Sequence, residues 1–210
     1  MRRLLSTIAL SLLLAPPALP DDSRSLRETV AALGGTFELG PGGVSAPLSK
    51  VDLHGTAVTD ADLVFLASLP ELTGLDLRLT KVTDAALAHV RSLRNLQFLN
   101  LFRTRITDAG LERLAPLTQL ETLLLGGTAV TDAGLATLKA FPRLRKLSIF
   151  DTRVTDAGLR ELWGLSKLEV LLAAKSGVTE AGMEELRKHV PAVRFQEQAL
   201  PVKPPEPAEK

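Results

Sequence analysis

Apolar residues recur along most of this chain with a period of 24 residues, and six copies of the period each begin with a leucine. Those leucines are Leu48, Leu72, Leu96, Leu120, Leu144 and Leu168. Positions 1, 4 and 6 of every copy are apolar, as Leu120, Leu123 and Leu125 are in the fourth. Because side chains alternate along a strand, positions 4 and 6 are predicted to face a core and positions 3, 5 and 7 the opposite side. Each copy is therefore predicted to begin with a β-strand.

The rest of each copy predicts a turn and a short helix. Position 12 is threonine in every copy, which suits a helix N-cap, and an acidic residue follows it at the positive end of the helix dipole. Apolar residues at positions 16, 19 and 22, such as Leu111, Leu114 and Leu117, fall on one helical face. Glycine at position 15 of the last four copies predicts a close approach between the helix and the neighbouring coil. Position 9 is threonine or serine, whose hydroxyl is predicted to bridge backbone groups of adjacent coils.

The third copy reads LQFLNLFRTRITDAGLERLAPLTQ, and its opening L-x-x-L-x-L pattern is the signature of a leucine-rich repeat. The units resemble the V-T-D-A-G-L leucine-rich repeats of many bacterial proteins. They are also similar to the cysteine-containing leucine-rich repeats of F-box proteins, which select substrates for ubiquitin ligases, although asparagine or cysteine is usual at position 9. The resemblance covers residues 48–192. It implies an α/β solenoid of six repeats, with a parallel sheet on the concave side and helices on the convex side.

The first twenty residues have a different pattern. Arg2 and Arg3 precede a stretch without charge at residues 4–14, and residues 15–18 read APPA, which is the layout of a secretory signal peptide. Eleven uncharged positions are too few for a membrane-spanning helix, which needs about 20 residues. Residues 1–20 are therefore predicted to be a signal peptide. The protein is predicted to be exported to the periplasm, the cell envelope or the medium, without a stable membrane span.

The segments that flank the repeats are predicted to cover the ends of the solenoid, because terminal repeats expose apolar surface and unpaired strands. Residues 21–47 are predicted to be an N-terminal cap, in which Ser25 and Glu28 fit a capping box at the start of a short helix. Residues 193–198 are predicted to form a C-terminal edge. Residues 199–210 are rich in proline and charge and are predicted to be a disordered tail.

Composition narrows the possible functions. The chain has 25 lysine and arginine residues against 24 acidic residues, whereas a nucleic-acid-binding domain usually carries a clear basic excess. It has no cysteine, which excludes disulfides, thiol catalysis and thiolate metal sites. No catalytic triad, zinc spacing or phosphate-binding loop is present in the sequence. We therefore predict no nucleic-acid partner, no metal, no cofactor and no catalytic residue. The pattern predicts no particular oligomeric state.

The candidate binding surface lies on the concave face, where the repeats differ from one another. Apolar side chains are predicted to point toward water there at Phe98, Phe102, Leu124 and Phe150. Exposed aromatic residues are typical of an interaction surface. Gly126 and Gly127, at positions 7 and 8 of the fourth copy, are predicted to leave a shallow pocket between Phe102 and Phe150. Basic residues around this patch complete the predicted site for a protein or peptide ligand: Arg78, Arg103, Arg105, Lys146 and Arg153.

A charged cluster is predicted on the first two repeat strands, formed by Asp52, His54, Asp76 and Arg78. Acid–base catalysis generally needs groups that are shielded from water and have tuned pKa values. An open concave sheet offers no obvious way to provide either. The cluster is therefore interpreted as charged partners arranged along a solvated sheet.

Together these features favour a non-catalytic, exported leucine-rich-repeat module that binds a protein or a peptide through its concave face. One alternative is an intracellular substrate-recognition adaptor like those of the F-box class, as part of a ubiquitin ligase. A second is a purely structural protein of the cell envelope.

Overall fold

The computed structural model describes residues 23–42 and 46–196. The predicted signal peptide at residues 1–20 and the predicted tail at residues 199–210 lie outside the described residues. No helix within the described part of the chain is long and apolar enough to cross a membrane.

One sheet of eight strands runs through the described residues, and the strands follow one another in chain order. The first pair is antiparallel, and all later neighbours are parallel. Residues 24 positions apart face each other, as Leu75, Leu99 and Leu123 do. The strands are β1 (Thr36–Leu39), β2 (Leu48–Asp52), β3 (Gly74–Asp76), β4 (Phe98–Asn100), β5 (Thr122–Leu124), β6 (Lys146–Ser148), β7 (Val170–Leu172) and β8 (Arg194–Gln196). The predicted α/β solenoid with a parallel sheet is confirmed.

Short helical segments return the chain from one strand to the next. They are short because a 24-residue unit must also hold a strand and two turns. The α-helices are α1 (Ser23–Ala32), α2 (Leu87–Val90), α3 (Asp108–Glu112), α4 (Asp132–Leu135), α5 (Asp156–Leu159) and α6 (Glu180–His189). The 3-10 helices span Asp60–Ser68, Ala136–Ala140 and Arg160–Leu162.

A single apolar core extends along the solenoid between the sheet and the helical segments. The third repeat shows its composition, since Leu99, Leu101, Ile106 and Leu111 have no exposed surface. At the N-terminal end, Leu26 and Val30 of α1 are buried in the same core as Leu48. The helix α1 therefore covers apolar surface that the first repeat would otherwise expose to water.

The hydroxyl at position 9 contacts its own turn and does not link adjacent coils, so that prediction is wrong. Thr80 donates to the carbonyl of Leu77 at 2.6 Å, and Thr104 donates to the carbonyl of Leu101 at 2.6 Å. The partner lies three residues earlier in the same coil because the turn places that carbonyl within reach of the short side chain. The hydroxyl therefore stabilises the turn that ends each strand.

The links between coils come instead from the aspartate at position 13. The carboxylate of Asp108 accepts hydrogen bonds from the backbone N–H of Thr131 at 2.8 Å and from its hydroxyl at 2.6 Å. The same pair of bonds joins four other coils, through Asp60 to Thr83, Asp84 to Thr107, Asp132 to Thr155 and Asp156 to Thr179. In α4 the hydroxyl of Thr131 also accepts from Ala133, as the predicted N-cap does. Each aspartate thus fixes the helix start of the following repeat.

The first and last repeats differ from the others in this aspartate–threonine ladder. Thr59 has no aspartate in a preceding repeat, and its backbone N–H and hydroxyl donate instead to Asp62, at 2.8 and 2.7 Å. These bonds lower the pKa of the Asp62 carboxyl, because they favour its charged form. In the sixth repeat, position 13 is Glu180, which is exposed and forms no hydrogen bond to a following coil within the described residues.

Glycine at position 15 makes room for this carboxylate. A Cβ atom on Gly134 would lie 2.3 Å from Oδ1 of Asp108, and one on Gly182 would lie 2.0 Å from Oδ1 of Asp156. These separations are shorter than Cβ contacts in proteins, so a side chain at either glycine would require the carboxylate to shift. The second repeat has Ala86 at this position, and there Thr83 still donates both bonds to Asp60. The predicted approach is confirmed, and its physical cause is the carboxylate.

Replacement of Asp108 by alanine is expected to lower the free energy of unfolding by about 2 kcal/mol, since Thr131 would lose two bonds to a charged acceptor. Glu180→Ala is the matched control, because it changes the same repeat position where no coil-to-coil bond exists. It is expected to cost less than about 1 kcal/mol, from the helix dipole alone. Urea unfolding followed by circular dichroism measures both. Equal effects of the two substitutions would contradict the linking role of the aspartate.

Candidate functional site

Two aromatic rings meet in the middle of the concave face. The ring centroids of Phe102 and Phe150 are 6.3 Å apart, and the ring planes are inclined by 38°. Gly126 lies between them and is buried, since a Cβ atom there would be 2.9 Å from Cδ2 of Phe102 and 3.1 Å from the carbonyl oxygen of Phe150. The pocket predicted between the two rings at Gly126 and Gly127 is therefore wrong at Gly126, because the Phe102 ring occupies that space.

The other apolar members of the predicted site extend this patch across two strands. Phe98 in β4 faces Thr122, and Leu124 in β5 faces Ser148. Phe98, Phe102, Leu124 and Phe150 are all half-buried, so each presents part of its apolar surface to water. We call these four residues the apolar patch.

A cation lies over each of the two central rings. The guanidinium carbon of Arg103 is 5.2 Å from the Phe102 ring centroid, and Nζ of Lys175 is 5.4 Å from the Phe150 centroid. A cation over an aromatic face is attracted by the ring quadrupole, by about 0.5–1 kcal/mol at exposed sites. Lys175 shares position 8 of the repeat with Arg103, on the basic edge of the predicted surface.

The backbone that carries these cations has an unusual conformation. Position 8 is left-handed in every repeat, and at four of them the residue is not glycine, with φ of 58° at Leu79, 53° at Arg103, 53° at Asp151 and 60° at Lys175. Such a conformation costs about 1–2 kcal/mol per residue. Hydrogen bonds between coils hold it, since the N–H of Arg103 donates to the carbonyl of Gly126 at 2.8 Å and that of Asp151 to Ala174 at 2.9 Å. The side chains at position 8 therefore lie at the edge of the sheet formed by the carboxyl ends of the strands.

Beside the rings, at this edge, lies an open recess of about 540 Å³. It is centred on the fourth repeat, where Gly127 and Ala129 carry no long side chain, and Arg105 and Arg153 lie on either side of them. The remaining lining residues are Thr104, Thr128, Asp151 and Thr152. The predicted residues Arg105 and Arg153 are thus brought to a single depression.

The basic residues of the predicted site fall into two groups. Arg103, Arg105, Lys146 and Arg153 form no ion pair within the described residues. Arg78 differs, because its side chain is only 11% exposed and its Nε lies 3.5 Å from Oδ2 of Asp76. The structure therefore brings Arg78 into the charged cluster and leaves the other four available at the surface.

The charged cluster forms as predicted on β2 and β3, but part of it is buried. Asp52 and Asp76 face each other, and Nδ1 of His54 is 2.8 Å from Oδ1 of Asp52. Asp76 is only 9% exposed, and Asn100 donates to its Oδ2 at 3.1 Å. Burial raises the pKa of the Asp76 carboxyl above its ordinary value, although the N–H and charge of Arg78 oppose the change. The solvated arrangement predicted for this cluster is therefore wrong for Asp76 and Arg78.

No cluster of three or more potential metal ligands occurs among residues 23–42 and 46–196. The buried carboxylate of Asp76 has Arg78 and Asn100 as its partners. These contacts satisfy it within the fold, which is what a buried charge requires. The cluster is thus explained as a structural feature of the concave face.

Comparisons with known proteins agree with this geometry. Residues 92–115 match a family described as leucine-rich repeat. No curated protein matches the chain in sequence. Its fold matches 228 chains of solved structures, so the architecture is common and cannot by itself define a function.

One of these structures is an internalin from Listeria monocytogenes, with a TM-score of 0.54 and 18% sequence identity. The match covers 82% of this chain and 55% of the internalin chain. The TM-score shows a likeness of fold, and at this low identity the match shows the fold alone. The protein is a leucine-rich-repeat solenoid, and the similarity of its repeats to those of F-box proteins stays a prediction.

The raised pKa of Asp76 predicts the sign of a pH effect on stability. A carboxyl whose pKa is higher in the folded state holds its proton more tightly there, so stability falls as pH rises from the unfolded value through the folded one. Asp76→Asn removes this titration. We expect the unfolding free energy of the wild type to fall relative to that of the variant as the pH rises above about 4, where an ordinary aspartate loses its proton. Urea unfolding of both proteins at a series of pH values below and above this point is the measurement. A difference that does not change with pH, or that changes in the opposite direction, would contradict the prediction.

Proposed function

We propose that this protein is a non-catalytic binding module that is exported and holds a protein or a peptide on its concave face. The observation that carries the proposal is the central pair of half-buried rings, Phe102 and Phe150, with Arg103 and Lys175 over them. Aromatic and arginine side chains are enriched at protein interfaces, where a few residues carry most of the binding energy. The apolar patch is more than the core requires, since the sheet is already sealed by the ladder of buried leucines behind it.

The size of the sheet favours a small partner element. The parallel strands from β2 to β7 are separated by about 4.8 Å each, so they span roughly 24 Å. A standard protein interface buries about 800 Å² on each partner. An extended peptide, a loop or one face of a small domain therefore suits this surface better than a large globular partner.

The binding proposal is tested with random 12-residue peptides displayed on phage and selected on the immobilised full-length protein. Selected peptides are expected to bind at least about tenfold more weakly to Phe102→Ala and to Phe150→Ala, because a central aromatic anchor is worth about 2 kcal/mol or more. Trp163→Ala is the control, since Trp163 is 37% exposed and lies in the return segment of the fifth repeat. Its affinity for the peptides is expected to match that of the wild type.

Thermal unfolding separates loss of the surface from loss of the fold. Phe102 and Phe150 are half-buried, so each alanine variant is expected to keep a cooperative transition. Peptides that bind both folded variants as tightly as they bind the wild type would place binding elsewhere. Failure to select any peptide that depends on the two rings would contradict the proposal, and would favour a structural envelope role.

Export is tested by fractionation of the producing cells and mass spectrometry of the mature N-terminus. Because residues 1–20 have the layout of a signal peptide, the expected product lies outside the cytoplasm and has lost Met1 and the uncharged stretch. An intact chain in the cytoplasm would contradict export. It would favour the alternative of an intracellular substrate-recognition adaptor.

A further inference from the structure

We infer that the bound segment is an acidic peptide, with a carboxylate side chain in the recess between Arg105 and Arg153 and a neighbouring apolar side chain on Phe102 and Phe150. The inference rests on the proposed function and names the chemistry of its partner. Its basis is a difference between two kinds of hydrogen-bond donor at the recess, those that the fold already uses and those that it leaves available.

The backbone donors of the recess are already used between coils. The N–H groups of Arg105 and Ala129 donate to the carbonyls of Val82 and Ile106, at 3.1 and 2.9 Å. The N–H of Gly127 donates to the carbonyl of Phe150 at 2.7 Å. The floor of the recess therefore offers a ligand no free backbone donor at these positions.

The hydroxyl groups of the floor are used as well. Thr104, Thr128 and Thr152 each donate to the carbonyl three residues earlier, at 2.5–2.7 Å. All three threonines are buried. A neutral polar ligand would thus find its natural donors occupied.

The guanidinium groups of Arg105 and Arg153 are the donors that remain. Both side chains are exposed, and neither has a carboxylate partner within the described residues. A guanidinium group presents a planar set of N–H donors that matches a carboxylate in a bidentate arrangement. Two such groups on either side of a recess that lacks long side chains are suited to a carboxylate on a flexible stem.

The position of Arg103 connects the recess to the apolar patch. Its side chain crosses Gly127, since a Cβ atom on that glycine would lie 2.8 Å from Cγ of Arg103. Its guanidinium group lies over the Phe102 ring. Recess and rings are therefore adjacent, so the acidic and apolar residues of the bound segment must be close neighbours in its sequence.

One group in the recess opposes an anion. Asp151 lines it with Arg105 and Arg153, is exposed, and forms no ion pair within the described part of the chain. Because two arginines and one aspartate line the recess, its net charge is positive. Arg103 and Lys175 add further positive charge nearby. Asp151 is thus expected to weaken the binding of an acidic segment, and its removal should strengthen it.

The test uses the sequences of the phage-displayed 12-residue peptides described above. Peptides whose binding depends on Phe102 and Phe150 are expected to be enriched in aspartate or glutamate beside an apolar residue. The tightest of them should bind about tenfold more weakly to Arg105→Gln or Arg153→Gln, which corresponds to one charge-assisted contact each. The Asp151→Asn variant should bind the same peptides several-fold more tightly. The affinity of the wild-type protein for these peptides should fall as salt is added.

Lys81→Gln is the matched control. Lys81 occupies the same repeat position as Arg105, is exposed, and does not line the recess. Ring-dependent peptides without acidic enrichment would overturn the inference and leave the proposed function standing. The same holds if Arg105→Gln and Arg153→Gln have no larger effect than Lys81→Gln. Absence of ring-dependent peptides would contradict the proposed function itself, and the inference with it.

Discussion

The hydrogen bonds that each position 13 aspartate accepts from the threonine of the next repeat are the constraint on which the rest of the structure depends. They join residues 23 positions apart, as Asp108 and Thr131 are, and recur with nearly constant length through five coil pairs. Apolar packing alone is non-directional and leaves the relative position of two coils weakly defined. A charged acceptor that binds one N–H and one hydroxyl fixes both distance and direction. These bonds act together with the strand pairing, which has the same register of 24 residues in every parallel pair. Side chains of successive repeats therefore lie side by side.

A regular scaffold of this kind allows the exposed positions to vary without changing the fold. Left-handed backbone at position 8 is held by bonds between coils, so the fold accepts leucine, arginine, aspartate and lysine there as well as glycine. The position 9 hydroxyl binds its own turn and stabilises the same corner. These hydrogen bonds offset the conformational free energy of the left-handed backbone at position 8. Function can therefore lie in side chains at this edge, of which Arg103 and Lys175 are examples.

The apolar period was enough to predict the strands, the parallel sheet and the core, because these depend on a periodicity that the chain displays directly. The role of Asp108 was missed because its carboxylate was judged against its own helix, whereas its partner is in the next coil. The sequence does contain a signal for it. Aspartate is present at position 13 wherever a later repeat follows, while the sixth repeat has Glu180 and the first has Asp62 at position 15, where the last four have glycine. The prediction of a pocket at Gly126 is wrong because a residue without a side chain leaves space that a neighbouring side chain can fill, and here the ring of Phe102 fills it.

The two halves of the concave face differ in whether their charged side chains have partners within the fold. On the N-terminal strands the charges are satisfied within the fold, since Lys50 pairs with Glu38 at 2.7 Å, and Asp76 with Arg78 and Asn100. A partner that bound there would have to replace existing contacts and would gain little. From β4 onward, Arg103 and Lys175 lie over aromatic rings, and Arg105 and Arg153 lie beside a recess. These four cations have no carboxylate partner within the described residues. A group that has no partner in the free protein gains most when a ligand supplies one. The gain available on binding is therefore concentrated on the third to sixth repeats, around the rings of Phe102 and Phe150.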